Sequence, residues 1–443
     1  MNENNHLLQG SYRVKPARPL KETCKIPGDK SISHRAVMIS SLAQGKSRIK
    51  GFLEGEDCLA TLNAFRQMGI ASQKSESEII ITGNGLYGLR EPDNVIDMGN
   101  SGTGARLLLG ILAGQSFASM LTGDVSLRSR PMGRITKPLA EMGAFFIGRD
   151  ENIKLPLAVR GGNLHAIDYP MPVASAQVKS ALLLAGLFAE GITVVHEPGP
   201  ARDHTERMLK TFGVTIAKTE NSYSIWPDQL LEGQEIEVPA DFSSAAFFIV
   251  AASIIPESDL IIENVGINPT RTGLLDVLCA MGADITVQNQ RNYGVEPVAD
   301  IRIRYAPLRG VIVSGDAVVR MIDEFPIFAV AAAFATTPST VKEAAELRVK
   351  ESDRIAVIVG ELRKMGVELA EREDGFEVMG GARLQGADCF SGGDHRIAMS
   401  LAIAGLAAEG ETTIHGVASI ATSFPNFFQL LSDADPHCIE RFS

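Results

Sequence analysis

The fold is decided by a short sequence that recurs along the chain, and its first copy is FRQMGI at residues 65–70. Each copy ends a helical segment in Met-Gly or Phe-Gly before an apolar residue. The five glycines are Gly69, Gly143, Gly213, Gly282 and Gly366, which lie 69 to 84 residues apart. Because glycine is the usual left-handed cap of a helix C-terminus, each copy predicts a helix that stops at this glycine and is followed by a strand.

A second kind of helix, rich in alanine and leucine, alternates with the first. These helices end at turns near residues 45, 114, 191, 256, 338 and 410, and a β-branched strand follows each turn. With residues 427–431 as a degenerate sixth helix of the first kind, the pattern indicates six copies of one unit with two helices and several strands. We expect the apolar helix of each copy to be buried and the amphipathic helix to lie outside. Copies of this length predict compact domains of three copies each, divided near residues 239–241.

The composition excludes several classes of protein. The formal net charge of −11 over 443 residues argues against nucleic-acid binding, which requires a basic face. The apolar stretches are too short to span a bilayer, and the polar first residues do not resemble a signal peptide. Five scattered cysteines without a Cys-x-x-Cys pair are typical of reduced thiols. We therefore expect a cytoplasmic protein with no membrane or nucleic-acid partner.

A polar or glycine-rich loop precedes each apolar helix. The first is PGDKSISHR at residues 27–35, in which Ser31 and Ser33 can cap the helix or donate hydrogen bonds. A helix N-terminus presents unpaired N–H groups and the positive end of the helix dipole, so converging helix starts form an anion site. The alternative is a capped surface helix with unrelated basic residues. The six loops are residues 30–35, 99–106, 173–179, 241–244, 323–326 and 392–396.

Basic residues of an otherwise acidic protein concentrate in these loops and helix starts. They are Lys30, Arg35, Arg130, Arg354 and Arg396. A local site for a small anion explains them, although an ordinary solvated helix explains the charges of residues 347–354 equally well. General acid–base chemistry needs ionisable groups beside such cations, and Asp323 and Glu351 are the best candidates. Neighbouring cations lower the pKa of a carboxyl group, so each would start as a base.

Other well-known sites are not supported. The sequence lacks the Gly-x-x-x-x-Gly-Lys-Ser/Thr phosphate loop and the Gly-x-Gly-x-x-Gly dinucleotide motif. It has no His-Glu-x-x-His motif and no cluster of cysteine and histidine, so no metal site is indicated.

Four motifs, in this order, resemble those of the 5-enolpyruvylshikimate-3-phosphate synthases, also called 3-phosphoshikimate 1-carboxyvinyltransferases. They are PGDKSISHR (27–35), GNSGT (99–103), LRVKESDR (347–354) and DHR (394–396), and the resemblance runs from about residue 26 to 428. It implies an α/β (α+β) fold of two domains, residues 26–240 and residues 1–25 with 241–443. Each domain would hold three βαβαββ units around a pseudo-threefold axis, as an inside-out α/β barrel, with the active site in the interdomain cleft.

The resemblance also implies a reaction. Enolpyruvyl would pass from phosphoenolpyruvate to the 5-hydroxyl of shikimate 3-phosphate, through a tetrahedral intermediate and with release of phosphate. No metal or organic cofactor would be needed, and we expect a monomer. The implied catalytic residues are Asp323, Glu351 and Lys30. The implied contacts to shikimate 3-phosphate are Lys30, Ser31, Arg35, Ser175, Gln177, Arg202, Asp323 and Lys350, and those to phosphoenolpyruvate are Lys30, Gly102, Arg130, Gln177, Arg354 and Arg396.

The chain resembles the divergent second class of the family in RDHT at residues 202–205, in Leu107 after Arg106 and in the lack of one lysine near the C-terminus. A lysine that commonly precedes Thr-Phe-Pro is missing from the run IATSFP at residues 420–425, so one phosphoenolpyruvate contact would be absent. Some members of that class carry a bulkier residue in place of Gly102, which here leaves space for the inhibitor glyphosate. Two alternatives remain: a sister transferase acting on UDP-N-acetylglucosamine, which usually carries a cysteine that residues 121–134 lack, and a non-catalytic anion-binding scaffold.

Overall fold

The computed structural model of the chain describes residues 10–75 and 78–442. The chain divides into two compact units. The first unit consists of Gly28–Pro239 and Asn292–Glu296, and the second consists of the described parts of Met1–Pro27, Ala240–Arg291 and Pro297–Ser443. Among the described residues, no helix is both long and apolar enough to cross a membrane.

The N-terminal segment contributes two strands to the second unit. These are β1 (Ser11–Val14) and β2 (Thr23–Cys24). The elements of the first unit, in chain order, are α1 (Lys30–Leu42), β3 (Gln44–Lys50), α2 (Glu56–Gln67), β4 (Ala71–Lys74), β5 (Glu78–Asn84), β6 (Ile96–Asp97), α3 (Gly102–Ala113), β7 (Ala118–Thr122), α4 (Val125–Ser129), α5 (Gly133–Glu141), β8 (Phe145–Gly148), α6 (Arg149–Asn152), β9 (Lys154–Arg160), β10 (Asp168–Pro170), α7 (Ala176–Gly186), β11 (Thr193–His196), α8 (His204–Thr211), β12 (Ile216–Lys218), β13 (Ser222–Ile225) and β14 (Glu235–Glu237).

The second unit continues from the next buried helix. Its elements are α9 (Phe242–Ile254), β15 (Asp259–Gly266), α10 (Gly273–Ala280), β16 (Asp284–Tyr293), β17 (Glu296–Arg304), β18 (Ile312–Val313), α11 (Asp316–Arg320), α12 (Phe325–Ala333), β19 (Ser339–Val341), α13 (Arg354–Lys364), β20 (Leu369–Arg372), β21 (Gly375–Val378), β22 (Asp388–Phe390), α14 (His395–Leu406), β23 (Thr412–His415), α15 (Phe427–Ala434) and β24 (Ile439–Phe442). Two 3-10 helices, Ala345–Val349 and Val417–Thr422, complete it.

In the described part of the chain, each unit holds three four-stranded sheets. Residues 96–160 show the repeated pattern most clearly, as β6, α3, β7, α5, β8 and β9 with the short helix α4 and the segment α6, a turn with positive φ at residues 150–152, inserted. Strand β6 runs parallel to β7, with Ile96 opposite Leu121, and β7 and β8 both run antiparallel to β9. This is a βαβαββ unit, so the predicted fold class is confirmed. The sheet orders are β14-β3-β5-β4, β6-β7-β9-β8 and β10-β11-β13-β12 in the first unit, and β16-β17-β15-β2, β18-β19-β21-β20 and β22-β23-β1-β24 in the second.

Three of the six sheets include a strand that comes from a distant part of the chain. Strand β14 pairs in parallel with β3, so that Glu235 lies opposite Arg48. Strand β2 pairs in parallel with β15, and β1 pairs antiparallel with both β23 and β24. The N-terminal residues are therefore held in the second unit, because both of their strands fill sheet positions there.

The cores of the units are built on the apolar helices. Helices α1, α3 and α7 pack together in the first unit, and α9, α12 and α14 pack together in the second. Every residue of α9 and of α12 is buried. In the first unit Gly110 permits a close crossing, because a Cβ at this position would lie 2.3 Å from the backbone oxygen of Ala181 in α7. The outer helices end as predicted, since the five Met-Gly and Phe-Gly glycines have φ between +85° and +109°.

The buried helices begin with capping side chains. Asp29, Ser101, Ser175, Asp241 and Asp394 each accept a hydrogen bond from a backbone N–H in the first turn of the helix that follows. Burial removes water from these helix starts, so the side chain has to satisfy N–H groups that the helix itself leaves unpaired. The exception is α12, which follows Glu324 without a side-chain cap.

The capping residue of α1 is Asp29 rather than one of the two serines considered from the sequence. Its Oδ1 atom accepts from the N–H of Ile32 at 2.8 Å. Since the helix begins at Lys30, Ser31 and Ser33 lie inside its first turn. The buried hydroxyl of Ser33 instead accepts from the N–H of Leu53 at 3.0 Å.

We expect Gly110→Ala to lower the free energy of unfolding by about 1–3 kcal/mol, because the new methyl group forces α3 and α7 apart. Urea denaturation followed by circular dichroism measures the change. Gly360→Ala is the matched control: Gly360 lies in α13, and a Cβ there meets no atom within 4 Å. Because alanine favours a helix more than glycine does, Gly360→Ala should leave the free energy of unfolding unchanged or raise it by about 1 kcal/mol. Equal stability of the two variants would contradict the close crossing.

Candidate active site

The first residue of α1 carries a fixed cation. The ammonium of Lys30 forms a close ion pair with Asp57, in the first turn of α2, and the lysine side chain is 19% exposed. Asp57 itself is buried. Sequence analysis did not single out this aspartate, which lies 27 residues further along the chain. The pair holds the ammonium in one place while leaving part of it accessible.

The guanidinium of Arg35, one turn further along α1, is buried among neutral acceptors. Its Nε donates to Thr205 Oγ1 at 2.7 Å, its Nη2 to Ser180 Oγ at 3.0 Å and its Nη1 to the carbonyl of Ser31 at 2.9 Å. Burial lowers the pKa of Arg35 to about 10, although the more distant carboxylates of Glu206 and Asp29 act in the opposite direction. The group therefore stays charged at neutral pH, and an added anion would stabilise it.

Two further guanidinium groups lie at the start of α3. Arg130 follows α4, and its Nη2 donates to Asn100 Oδ1 at 2.8 Å and to Ser126 Oγ at 3.0 Å. A Cβ at Gly102 would lie 3.2 Å from Nη1 of Arg130 and 3.0 Å from Nη1 of Arg106. A side chain at position 102 would therefore press on both cations.

The start of α7 joins that of α3 through one amide side chain. Gln177 donates from Nε2 to Thr103 Oγ1 at 3.0 Å and accepts at Oε1 from Arg106 Nη1 at 3.1 Å. Ser175 caps α7, and its hydroxyl oxygen accepts from the N–H of Val178 at 3.4 Å. Gln177 is thus held between the two helices, in contact with the arginine that borders Gly102.

Arg202 lies just before α8 and near Arg35. The positive charge of Arg202 helps to lower the pKa of Arg35. Helix α1 contacts α3 and α8, and α3 contacts α7. The structure thus brings the predicted residues of the first unit to adjoining helix starts. They are Lys30, Ser31, Arg35, Gly102, Arg130, Ser175, Gln177 and Arg202.

The second unit contains a cluster built around Arg354, the buried first residue of α13. Its Nε pairs with Asp394 Oδ2 at 2.8 Å, its Nη2 with Glu351 Oε2 at 2.6 Å and its Nη1 with Asp323 Oδ1 at 3.3 Å. Burial alone would lower the pKa of Arg354, but the charges of Asp394, Glu351 and Asp323 raise it above its usual value. Two of these carboxylates, Asp323 and Glu351, are the acid–base candidates from the sequence.

Asp323 lies between several cations. Its Oδ2 is 3.9 Å from Nη2 of Arg396, whose Nη1 is 3.9 Å from Glu324 Oε1. Burial lowers the pKa of Lys350. The positive charge of Arg354 lowers it further, whereas the negative charges of Asp323 and Glu346 act to raise it. The structure therefore groups all the predicted residues of this unit, namely Asp323, Lys350, Glu351, Arg354 and Arg396.

Several supporting residues were missed by sequence analysis. Ser243, near the start of α9, forms a short hydrogen bond to the buried carboxylate of Glu324 and accepts from Nη2 of Arg271 at 2.7 Å. Asp394 both caps α14 and holds Arg354. The sequence did mark the loops that contain Ser243, Glu324 and Asp394, as polar segments before buried helices. No signal in the sequence singled out Arg271.

The chemistry of these clusters is that of anion binding with proton transfer. Among the described residues, no group of three or more His, Cys, Asp or Glu side chains is arranged to hold a metal ion. Guanidinium and ammonium groups bind phosphate and carboxylate, and carboxylates beside them exchange protons.

Comparison with known proteins agrees with the sequence motifs. The family described as EPSP synthase (3-phosphoshikimate 1-carboxyvinyltransferase) matches residues 14–431. The 3-phosphoshikimate 1-carboxyvinyltransferase of Desulforamulus reducens is 53% identical over 95% of this chain and 98% of its own length. That of Citrifermentans bemidjiense is 52% identical with the same coverage.

The solved structures give the same result. EPSP synthase from Acinetobacter baumannii is 46% identical with a TM-score of 0.88, covering 98% of this chain and all of its own. The enolpyruvyl transferase NikO from Streptomyces tendae is only 17% identical with a TM-score of 0.79, over 98% of this chain and 99% of its own, so this similarity shows the fold alone. With the family matched over nearly its whole length, the chain belongs to the EPSP synthase (3-phosphoshikimate 1-carboxyvinyltransferase) family.

Proposed function

We propose a specific role for each cluster in the reaction of this family. The chain transfers the enolpyruvyl group of phosphoenolpyruvate to the 5-hydroxyl of shikimate 3-phosphate and releases phosphate, a step of aromatic amino acid biosynthesis. The observation that carries the assignment of roles is the environment of Arg354. One guanidinium there contacts both Asp323 and Glu351, and this contact supports a role for the two carboxylates as proton carriers beside an anion-binding arginine.

In the first unit, Arg35 is the main group for the phosphate of shikimate 3-phosphate. Its described contacts use three of its five N–H groups, all on neutral acceptors, so that one N–H remains on each of Nη1 and Nη2. Two such donors suit bidentate binding of a phosphate. Ser31, Ser175 and Arg202, at neighbouring helix starts, are further proposed contacts in the first unit, as are Lys30 and Gln177. The contacts proposed in the second unit are Asp323 and Lys350.

Phosphoenolpyruvate is assigned to a second set of groups, which shares Lys30 and Gln177 with the first. In the first unit, Arg130 and Gln177 lie at the start of α3, where Gly102 leaves room beside the guanidinium groups. Lys30, paired with Asp57, is the third group proposed in this unit. In the second unit, Arg354 and Arg396 supply the positive charge. Donors that are held in place before the reaction stabilise negative charge as it develops on the departing phosphate, an effect worth about 10²–10³ in rate for a single donor.

Asp323 is proposed to accept the proton of the 5-hydroxyl. Contact with Arg354 at 3.3 Å and the nearby guanidinium of Arg396 favour the ionised form of its carboxylate, which is the form a base requires. As the proton moves to Asp323, the hydroxyl oxygen forms a bond to C2 of phosphoenolpyruvate. This addition gives the tetrahedral intermediate.

Glu351 is proposed to serve the methylene carbon twice, with Lys30 assisting. Before substrate binds, its carboxylate pairs with Arg354 at 2.6 Å. An incoming anion competes for that guanidinium, so Glu351 loses stabilisation of its charge and can carry a proton. It delivers this proton to the methylene carbon during addition and takes one back from the methyl group when phosphate leaves.

We also propose that the chain is a monomer of the cytoplasm, that no cofactor takes part, and that the two compact units are the two domains of the family. The five cysteines are all free in the structure, which suits a reducing compartment. Light scattering during size-exclusion chromatography measures the mass, for which a monomer gives 47.5 kDa.

Glu351→Gln should lower kcat at least about 10²-fold, because the amide cannot carry the proton. Affinity for shikimate 3-phosphate should change little. Phosphate release measures turnover and calorimetry measures binding. Glu368→Gln, at an exposed position of the same unit, makes the same charge change as a control. If the affinity for both substrates falls as strongly as turnover does, Glu351 binds substrate and does not transfer protons. The unmodified enzyme should release no phosphate with UDP-N-acetylglucosamine as the acceptor.

Gly102→Ala should weaken inhibition by glyphosate, and binding of phosphoenolpyruvate with it, by about tenfold, or about 1.4 kcal/mol. The new methyl group would lie 3.2 Å from Arg130 Nη1 and displace that cation. Steady-state inhibition at fixed, limiting phosphoenolpyruvate measures the effect, with Gly360→Ala as the control. Unchanged turnover of the original enzyme at high glyphosate would contradict this assignment of Gly102.

Binding of shikimate 3-phosphate should weaken as the pH rises. The loss should begin at a lower pH than the titration of an ordinary lysine. Burial lowers the pKa of Lys350, so the ammonium loses its proton and its charge earlier than usual. The KM for shikimate 3-phosphate, measured from neutral to alkaline pH, should show this rise. Lys350→Arg should move the rise to higher pH, since arginine stays charged throughout. If the KM of the Lys350→Arg enzyme rises at the same pH as that of the unmodified enzyme, the rise comes from the titration of another group.

A further inference from the structure

The hydroxyl groups of Thr205 and Ser180 form a directed pair behind Arg35. Thr205 donates its hydroxyl proton to Ser180 Oγ at 2.7 Å. Each oxygen then presents lone pairs to the guanidinium, Thr205 Oγ1 to Nε and Ser180 Oγ to Nη2. All three side chains are buried. The two hydroxyls therefore fix one side of the guanidinium fork as a unit.

A buried ion pair lies directly beside this hydroxyl pair. Lys179, fully buried, precedes Ser180 in α7, and Glu206 follows Thr205 in α8. The Lys179 ammonium is 2.6 Å from Glu206 Oε1 and 2.6 Å from Glu197 Oε1, and it lies 4.5 Å from the ring centroid of Tyr223. Breaking a buried pair leaves an uncompensated charge, which is costly. The ion pair therefore fixes the separation of α7 and α8 at the level of the two hydroxyls.

The choice of hydroxyl groups has a consequence for charge. Arg354 of the second unit is held by three carboxylates, which compensate its charge. Arg35 is held by two hydroxyls and the carbonyl of Ser31, which orient it without neutralising it. A carboxylate in place of Thr205 would compete with a phosphate for the same guanidinium. Neutral acceptors keep its charge available.

We propose that Thr205 and Ser180 are positioning residues that orient Arg35 for the phosphate of shikimate 3-phosphate, with the Lys179–Glu206 ion pair setting their spacing. The proposal rests on the function assigned to Arg35 above. Thr205 and Ser180 act through Arg35 and need not touch the substrate. Their removal should affect binding of the acceptor substrate and leave that of phosphoenolpyruvate unchanged.

The test replaces Thr205 by Val, which keeps the shape and removes the hydroxyl, and by Ser, which restores it. Thr205→Val should raise the KM for shikimate 3-phosphate at least about tenfold, as loss of a hydrogen bond to a charged group predicts. The KM for phosphoenolpyruvate should stay within about twofold, and Thr205→Ser should recover most of the loss. Thr211→Val, in the same helix, is the control, because the Thr211 hydroxyl bonds only the carbonyl of Arg207 among the residues that the structure describes. Ser180→Ala should likewise raise the KM for shikimate 3-phosphate and leave that for phosphoenolpyruvate unchanged. It provides the test if the Thr205→Val protein does not fold.

A double-mutant cycle separates positioning from general damage. Adding Thr205→Val to Arg35→Lys should change the KM for shikimate 3-phosphate less than about twofold, because the group through which Thr205 acts is already altered. Additive effects, or equal rises in both KM values, would overturn the proposal. If Arg35→Lys alone leaves the KM for shikimate 3-phosphate unchanged, the role assigned to Arg35 fails. If Arg35→Lys raises it and neither hydroxyl variant does, only the positioning inference fails.

Discussion

The requirement that the first turn of a buried helix be hydrogen bonded organises this protein. Apolar helices form the core of each unit, and five of the six described begin with an Asp or Ser whose side chain accepts from a backbone N–H. Water cannot satisfy those groups once the helix is surrounded, so a polar residue must stand there. Several residues of the proposed site lie at the same positions. Lys30, Gly102, Gln177 and Arg396 each lie within two residues of a cap.

Two buried arginines show how one residue type serves different purposes. Arg354 contacts Asp323, Glu351 and Asp394, so it keeps these carboxylates in place, and an incoming anion has to compete with them for the guanidinium. Arg35 hydrogen-bonds only two hydroxyls and a carbonyl in the described structure, so these neutral partners orient the guanidinium without neutralising it, as the proposed binding of a phosphate requires. In both cases the donors are oriented before substrate binds, which limits the reorganisation needed during the reaction.

Much of the fold was predictable because its signals are local. The glycines that end the outer helices, such as Gly69 and Gly143, adopt the left-handed conformation that their position implied. The repetition predicted six units of two helices and several strands, and the family resemblance supplied the βαβαββ order and placed residues 1–25 in the second domain. Only the structure showed which sheets β14 and β1 complete. The cap of α1 also required the structure. Asp29, Ser31 and Ser33 are all good capping residues, and only the point at which the helix begins selects Asp29.

By itself, the sequence determined the repeat, the polar loops before the buried helices and the residue types that are proposed to hold anions and move protons. It did so because helix ends, apolar periodicity and charge are properties of neighbouring residues. The tertiary structure decided which partner each of those residues has. Arg35 meets Thr205, which is 170 residues away, Arg354 meets Asp394, which is 40 residues away, and Lys30 meets Asp57. Such pairs depend on how helices pack, and packing brings together residues whose separation along the chain carries no signal.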